Sequence, residues 1–514
     1  PTSLWGSLTF GALAGRYTPF FKSRLPMSLP VFPSLRITSD ALIPKGAFAE
    51  AQAAFLEPDA DLVARLDTLL AEKNAGIVAH FYMDPELQGV LSSCDWPHIH
   101  VSDSLAMADR AIAMAEQGVR TIAVLGVDFM SENVRAMLDA SGHEDVAVYR
   151  VAEAPIGCSL AESAEAAAYG AYLTEASKTP RSLHVVYINT SLVTKAKAHA
   201  LVPTITCTSS NVVRTVLQAA AQIPDVHVWF CPDTYMGDNL AHMFASLAEM
   251  PDEQIRELHS EHDRSSVRAL LPRFHFFKQG TCIVHHMFGR EVVDLVRAHY
   301  EDVFVTAHLE VPGEMFALGL EAQREGNGVV GSTSNILAFV LGKVDEAMAR
   351  GVPAKLQFIL GTEAGMITPI VRQVQDKLRD HASEGGAEIS AEIVFPVAPE
   401  AIAQAPDSGL GVVPGVAGGE GCSTAGGCAT CPYMKMNSLR SLLALLERLE
   451  VDPSATLVPF EPKKYVQQIR GRTAADLGGE PILHMRAFQR SGALPDALVE
   501  DVIHRSSSRE AAKS

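Results

Sequence analysis

The sequence predicts an α/β protein of several parallel-sheet units, on three observations. Short apolar runs alternate with helical periodicity along the body of the chain, polar residues gather where those runs end, and the chain is long enough for more than one core. Its 514 residues are 47% hydrophobic, enough for units of roughly 100 to 150 residues each. No stretch offers about 18 uninterrupted apolar residues, so no membrane span is expected. A net charge of −18 argues against a general nucleic-acid role, and local groups must attract any anionic substrate against that field. Eight cysteines in a chain this long make no disulfide framework. They suggest a reducing compartment with a few metal-binding thiols, and hence a cytoplasmic location.

Residues 1–56 carry Pro, Ser, Phe and Arg without a clear period and read as a poorly defined N-terminal extension without a secretory pattern. Leu62, Val63, Leu66, Leu69 and Leu70 then share one helical face. Strands are expected at 77–79, 98–101, 121–127, 146–151, 184–188, 227–231, 303–307, 328–330, 357–360 and 388–397, with helices between most of them. A TIM barrel is the structural rival, because it too alternates strand and helix.

The strand ends lead into His80 and Tyr82, Asp103 and Ser104, Tyr187 and Asn189, Ser209 and Ser210, and Asp233. Later ones lead into His308 and Glu310, Ser332 and Thr333, and Thr362 and Glu363. Open α/β sheets bind ligands beyond the carboxyl ends of their strands. Any one of these residues could cap the next helix, and for Asp103, Ser209 or Ser334 that reading is at least even. So many together point to a polar central site.

Three cysteines stand at domain-sized intervals: Cys158, Cys282 and Cys431, separated by 282−158=124 and 431−282=149 residues. One thiolate per domain could hold an iron–sulfur cluster with one iron left open as a Lewis acid. Cys94, Cys207 and Cys231 read as core thiols. A zinc site at Cys422, Cys428 and Cys431 lacks a fourth ligand nearby, since the next histidine is His484.

These motifs resemble those of quinolinate synthases. The resemblance is carried by residues 79–88, Ser102-Asp103-Ser104-Leu105, residues 126–132, Gly157-Cys158-Ser159-Leu160-Ala161 and Tyr187-Ile188-Asn189-Thr190-Ser191 with Lys195. It continues through residues 207–211, Pro232-Asp233, residues 280–285, His308-Leu309-Glu310, Gly331-Ser332-Thr333, Thr362-Glu363 and residues 431–437, and spans about 60 to 490. The resemblance implies three related three-layer αβα domains around a pseudo-threefold axis, with active site and cluster at the centre. The expected bounds are 57–155, 156–280 and 281–430, starting the second and third domains at the Cys158 and Cys282 loops. A cluster motif and helices packing back on the core would fill 431–504, and a tail 505–514.

It also implies NAD biosynthesis, by condensation of iminoaspartate with dihydroxyacetone phosphate to quinolinate with loss of phosphate and water. An aspartate-oxidising enzyme would be the functional partner. One [4Fe–4S] cluster per chain would be held by Cys158, Cys282 and Cys431. Ser104, Ser209, Ser332, Thr333 and His80 would bind carboxylates, and Tyr82, His285 and Asn189 the three-carbon phosphate. Tyr187 would face the site beside Asn189, which requires a bend there. Glu310 would be the general base, with His308 beside it and Tyr82 and His285 as further catalytic groups. Cys422 and Cys428 would not be ligands and would form a reversible disulfide on oxidation. An iron–sulfur hydro-lyase and a labile-cluster redox sensor are the alternatives.

Overall fold

The computed structural model describes residues 32–396, 431–451 and 454–511. Cys422 and Cys428, and with them the expected disulfide, lie outside the described residues. No helix among the described residues is long and apolar enough to cross a membrane.

Two strands open the fold, β1 (Ser34–Ile37) and β2 (Leu42–Lys45). The next four are β3 (Ala75–His80), β4 (Ile99–Ser102), β5 (Thr121–Leu125) and β6 (Ala147–Arg150). They form a parallel sheet in the order β4-β3-β5-β6. A second parallel sheet contains β7 (Ser182–Tyr187), β8 (Thr204–Cys207), β9 (His227–Cys231) and β10 (Phe274–Phe276), in the order β10-β9-β7-β8. The third contains β11 (Phe304–His308), β12 (Gly328–Gly331), β13 (Ala354–Gly361) and β14 (Ile389–Val394), in the order β12-β11-β13-β14. Read from the same edge, all three have the order second, first, third, fourth. The barrel alternative is excluded, because these strands fall into three separate open sheets.

Every residue of β3 and of β7 is buried, as expected for strands covered by helices on both faces. In each unit the residue after the first strand extends the ladder by one bond. Phe81, Ile188 and Leu309 donate their N–H to the carbonyls of Ser102, Cys207 and Gly331 at 3.0, 2.9 and 3.1 Å. The three first strands therefore end in the same way, beside their second strands.

Residues 34–45, within the 1–56 segment read as a poorly defined extension, belong to the third sheet. β1 pairs antiparallel with β14, and β2 pairs with β1. Leu35 and Ile37 are wholly buried among Ile336, Val340, Phe358 and Ile393. Glu392 on β14 accepts from Ser34 Oγ at 2.6 Å and Lys45 Nζ at 2.7 Å. Short strands with mixed polar neighbours leave no period to read. β10, only three residues long, was also missed.

The C-terminal helices pack back on the units. Leu442, Leu443, Leu445 and Leu446 join Leu66, Leu70 and Ala79 in one core. The helix Ala474–Ser491 lies across the helix Leu192–Leu201. At the contact a Cβ on Gly478 would stand 2.1 Å from the Leu192 carbonyl oxygen, so only glycine permits this approach. The last helix, Asp496–Ala511, runs past position 505, where a tail was expected.

Leu35→Ala should lower the stability of the third unit by about 2 to 5 kcal/mol, read as a shift in its denaturant midpoint. An unchanged midpoint would return the segment to the status of an appendage.

Candidate active site

Equivalent positions of the three units converge on one cavity of about 790 Å³ of atom-free space, part of it open to solvent. The first strands end at His80, Tyr187 and His308, and two residues further on stand Tyr82, Asn189 and Glu310. Two residues beyond the second strands stand Ser104, Ser209 and Thr333. Beyond the fourth strands stand Cys158, Cys282 and Cys431. All twelve line the cavity, together with His285. Phe129, Met130, Ile283, Val284 and Met434 supply apolar wall. Of the residues given a role at the site, Ser332 does not line the cavity, and of the other strand-end residues neither do Ser210, Asp233, Thr362 and Glu363. Its hydroxyl donates to Asn335 Oδ1 at 2.7 Å and accepts from Asn335 N, capping the helix Thr333–Ala349. Ser332 is therefore the cap, where Ser334 had been considered. Asp103 caps its helix as well, accepting from Leu105 N and Ala106 N at 3.1 and 3.0 Å.

Glu310 lies at the centre and is 3% exposed. Tyr187 donates its hydroxyl to Oε1, and His285 Nδ1 stands 3.2 Å from Oε2. Burial pushes the carboxyl pKa up. The pull of His285 and the hydrogen bond from Tyr187 outweigh it and keep the group ionised. The Tyr187 and Tyr82 hydroxyls are held well above their ordinary pKa by burial and by the Glu310 charge, so both remain donors. Tyr82 also shares a hydrogen bond with Thr362 Oγ1 at 3.2 Å.

Two histidines repeat one device. The Tyr82 N–H donates to His80 Nδ1 at 3.1 Å, and the Glu310 N–H donates to His308 Nδ1 at 3.3 Å. Each bond assigns the ring proton to Nε2. Burial lowers His80 to about 4 and His308 to about 3, so both rings are neutral near pH 7. The His285 ring stacks on His308 with centroids 4.8 Å apart, and its edge meets Tyr82.

The three thiols are free. Burial raises Cys158 to about 11 and Cys431 to about 12, and lifts Cys282 well above its ordinary value. Their loops are tied to one another. Ser159 Oγ donates to the Thr281 carbonyl at 3.0 Å, and a Cβ on Gly157 would press the Tyr433 ring at 3.2 Å. Glu363 accepts from the Cys431 N–H at 3.0 Å and from Gly365 N at 2.8 Å. Asn437 exchanges two bonds of 3.2 Å with the Gly126 backbone, fastening the Cys431 loop to the first unit. A metal ion could also meet Cys282, His285 and Glu310, whose ligand atoms lie within 4.8 Å of one another.

Sequence reading gave no role to Asn239. It is wholly buried on the helix Thr234–Leu247, and its amide donates to the carbonyls of Leu309 at 3.0 Å and Val311 at 2.8 Å. It thus brackets Glu310 from the second unit. An asparagine on the apolar side of a helix, where it is a poor former, was the available signal.

Comparison with known proteins agrees with this geometry. Residues 64–388 match a family model described as quinolinate synthetase A protein. The chain is 55% identical to a quinolinate synthase, chloroplastic, of Nicotiana tabacum, over 93% of this chain and 68% of that protein. It is 54% identical to the chloroplastic enzyme of Oryza sativa subsp. japonica, covering 92% and 69%, and 53% identical to that of Arabidopsis thaliana, covering 94% and 68%. The expected cytoplasmic location is thereby overturned, since these relatives are chloroplastic. Cysteine usage reported a reducing environment, and a plastid relative satisfies that as well as a cytosolic one. On the matched model and on relatives more than half identical across nearly all of it, the chain belongs to the quinolinate synthase family, enzymes of NAD biosynthesis.

Proposed function

We propose that the cavity condenses iminoaspartate with dihydroxyacetone phosphate, with loss of phosphate and water, and that Cys158, Cys282 and Cys431 hold one [4Fe–4S] cluster there. An aspartate-oxidising enzyme would supply the iminoaspartate. The observation that carries this reading is the ionised Glu310 inside a cavity walled by three free thiols and by neutral donors from all three units.

The residues fit such a group. Three thiols without disulfide partners, brought to one cavity from three separate segments, are a three-thiolate donor set. All three must shed protons to ligate, so cofactor loading releases protons to solvent. When bound, the cluster would supply an open iron as Lewis acid for a nitrogen and a carboxylate.

The chain's own residues do the remaining work. Glu310 accepts a proton from carbon next to the carbonyl of the three-carbon substrate. Tyr187 and His285 steady its charge before transfer and release their hold as it becomes neutral. His80 and His308 present Nε2–H, and Ser104, Ser209 and Thr333 present hydroxyls, as neutral donors to carboxylates. Ser332, occupied as a cap, is left out of that set. Tyr82, His285 and Asn189 take the phosphate-bearing substrate. The apolar wall from Phe129 to Met434 excludes water while hydroxyls are lost.

Serine at Cys158, Cys282 or Cys431, one at a time, should abolish both bound iron and activity after anaerobic purification. Full iron retention in any one variant removes that residue from the ligand set. Glu310→Gln should keep its iron, bind iminoaspartate and lose turnover by roughly 10²- to 10⁴-fold. Near-normal quinolinate formation by that variant moves the base elsewhere, to Tyr82 or His285.

A further inference from the structure

We propose that Lys195 is a positioning residue for the three-carbon phosphate: its buried ammonium holds the turn from which Asn189 reaches the cavity and places a positive charge behind it. The inference rests on the function proposed above.

Lys195 is wholly buried on the helix Leu192–Leu201. Lysine is almost never fully buried unless paired with a carboxylate. Here Nζ donates to two backbone carbonyls, Ile188 at 3.1 Å and Thr190. Those carbonyls bracket Asn189. Between them Thr190 N donates to Ile188 O at 2.7 Å, a three-residue turn centred on Asn189 and the bend that Tyr187 and Asn189 require. In a trans peptide the carbonyl and the N–H point opposite ways. Drawing the Ile188 oxygen back to Nζ therefore turns the Asn189 N–H away from the lysine. Among the described residues neither that N–H nor the Asn189 amide has a partner, and Asn189 lines the cavity.

The other two units show why the holding group here is a lysine. In the third, the amide of Asn239 brackets Glu310 in the same way, and in the first Gln88 Nε2 donates to Phe81 O, beside Tyr82. A neutral amide suffices to hold such a turn. The cation occurs in the unit whose turn is assigned to the phosphate, and among the described residues no lysine or arginine lines the cavity itself. Glu132 neutralises Lys195 only through space, because its oxygens accept from Leu192 N at 3.1 Å and Tyr465 OH at 2.9 Å.

The same burial makes the charge sensitive to pH. Burial lowers Lys195 to about 7, against the pull of Glu132 on the helix Asp128–Ala140 and of Cys231 on β9. The Phe129 ring lies 6.0 Å from Nζ. The ammonium is present below that value and lost above it. In the unfolded chain the group titrates near ~10.4, so the folded state binds fewer protons between the two values, and this group's contribution to stability rises with pH there. Phosphate binding should fall over the same range. A lysine serving only to hold the fold together would not set these two trends against each other.

The test is the apparent KM for dihydroxyacetone phosphate, measured on anaerobic holoenzyme at saturating iminoaspartate from pH 6.5 to 8.5, with melting temperature in parallel. The substrate's own phosphate ionisation is common to all variants. The wild-type KM should climb about tenfold over that range, the worth of one charge-assisted hydrogen bond. Lys195→Met should start about tenfold higher at pH 6.5 and lose this rise, with kcat changed less than KM. Asn189→Ala should lose the rise too, and the double variant should be no worse than Asn189→Ala alone. A Lys195→Met KM within twofold of wild type, or penalties that add in the double variant, overturns the proposal. If Lys195→Met does not fold, wild type against Asn189→Ala decides, and the same rise in both overturns it. Wild-type holoenzyme that makes no quinolinate would instead refute the function on which the proposal rests.

Discussion

Burying an ionised carboxylate costs several kcal/mol unless hydrogen bonds replace its water, and Glu310 is 3% exposed. The neighbouring architecture answers to that requirement. Tyr187 arrives from the second sheet and His285 from the loop after β10, while Asn239 fixes both flanking peptides from a helix of the second unit. The third unit, which carries Glu310, relies on the second to keep this group ionised. The constraint also explains the surroundings of His80 and His308, since further buried cations would need further anions, and both rings are neutral.

The repeated strand order turns one solution into three. Each sheet delivers its first strand to the same depth, adds one ladder bond to the second strand, and places a side chain two residues later in the cavity. The segments that carry the three thiols then meet, through Ser159 with Thr281 and Gly157 with Tyr433, while Glu363, just after β13, holds the Cys431 N–H. Within that common frame the units diverge in chemistry: an aromatic hydroxyl at Tyr82, an amide at Asn189, a carboxylate at Glu310.

Much of this was legible in the sequence because buried parallel strands read as apolar runs. Residues 184–188 and 227–231 stand out against the helical segments, and the polar residues following such runs are where a site must be. What stayed hidden depends on contacts between distant segments. β1 gains its meaning only from β14, more than 350 positions away, and its four residues carry no period of their own. Ser332 and Thr333 are adjacent hydroxyls of nearly equal promise, and only helix geometry sends one to the cap and the other to the cavity. Asn239 looks like an ordinary polar residue until the Leu309 and Val311 carbonyls are placed against it. The plastid context of the relatives left no trace in composition, because a thiol-sparing compartment has the same signature wherever it lies.

The backbone bonds into His80 Nδ1 and His308 Nδ1 give these two rings a direction. Each can point a proton at a ligand, but its basic nitrogen faces its own chain and is already in use. Neither ring can take a proton from the ligand side without first giving one up. The two imidazoles are thus fixed dipoles, and the ionised Glu310 is the group among them that is free to gain a proton.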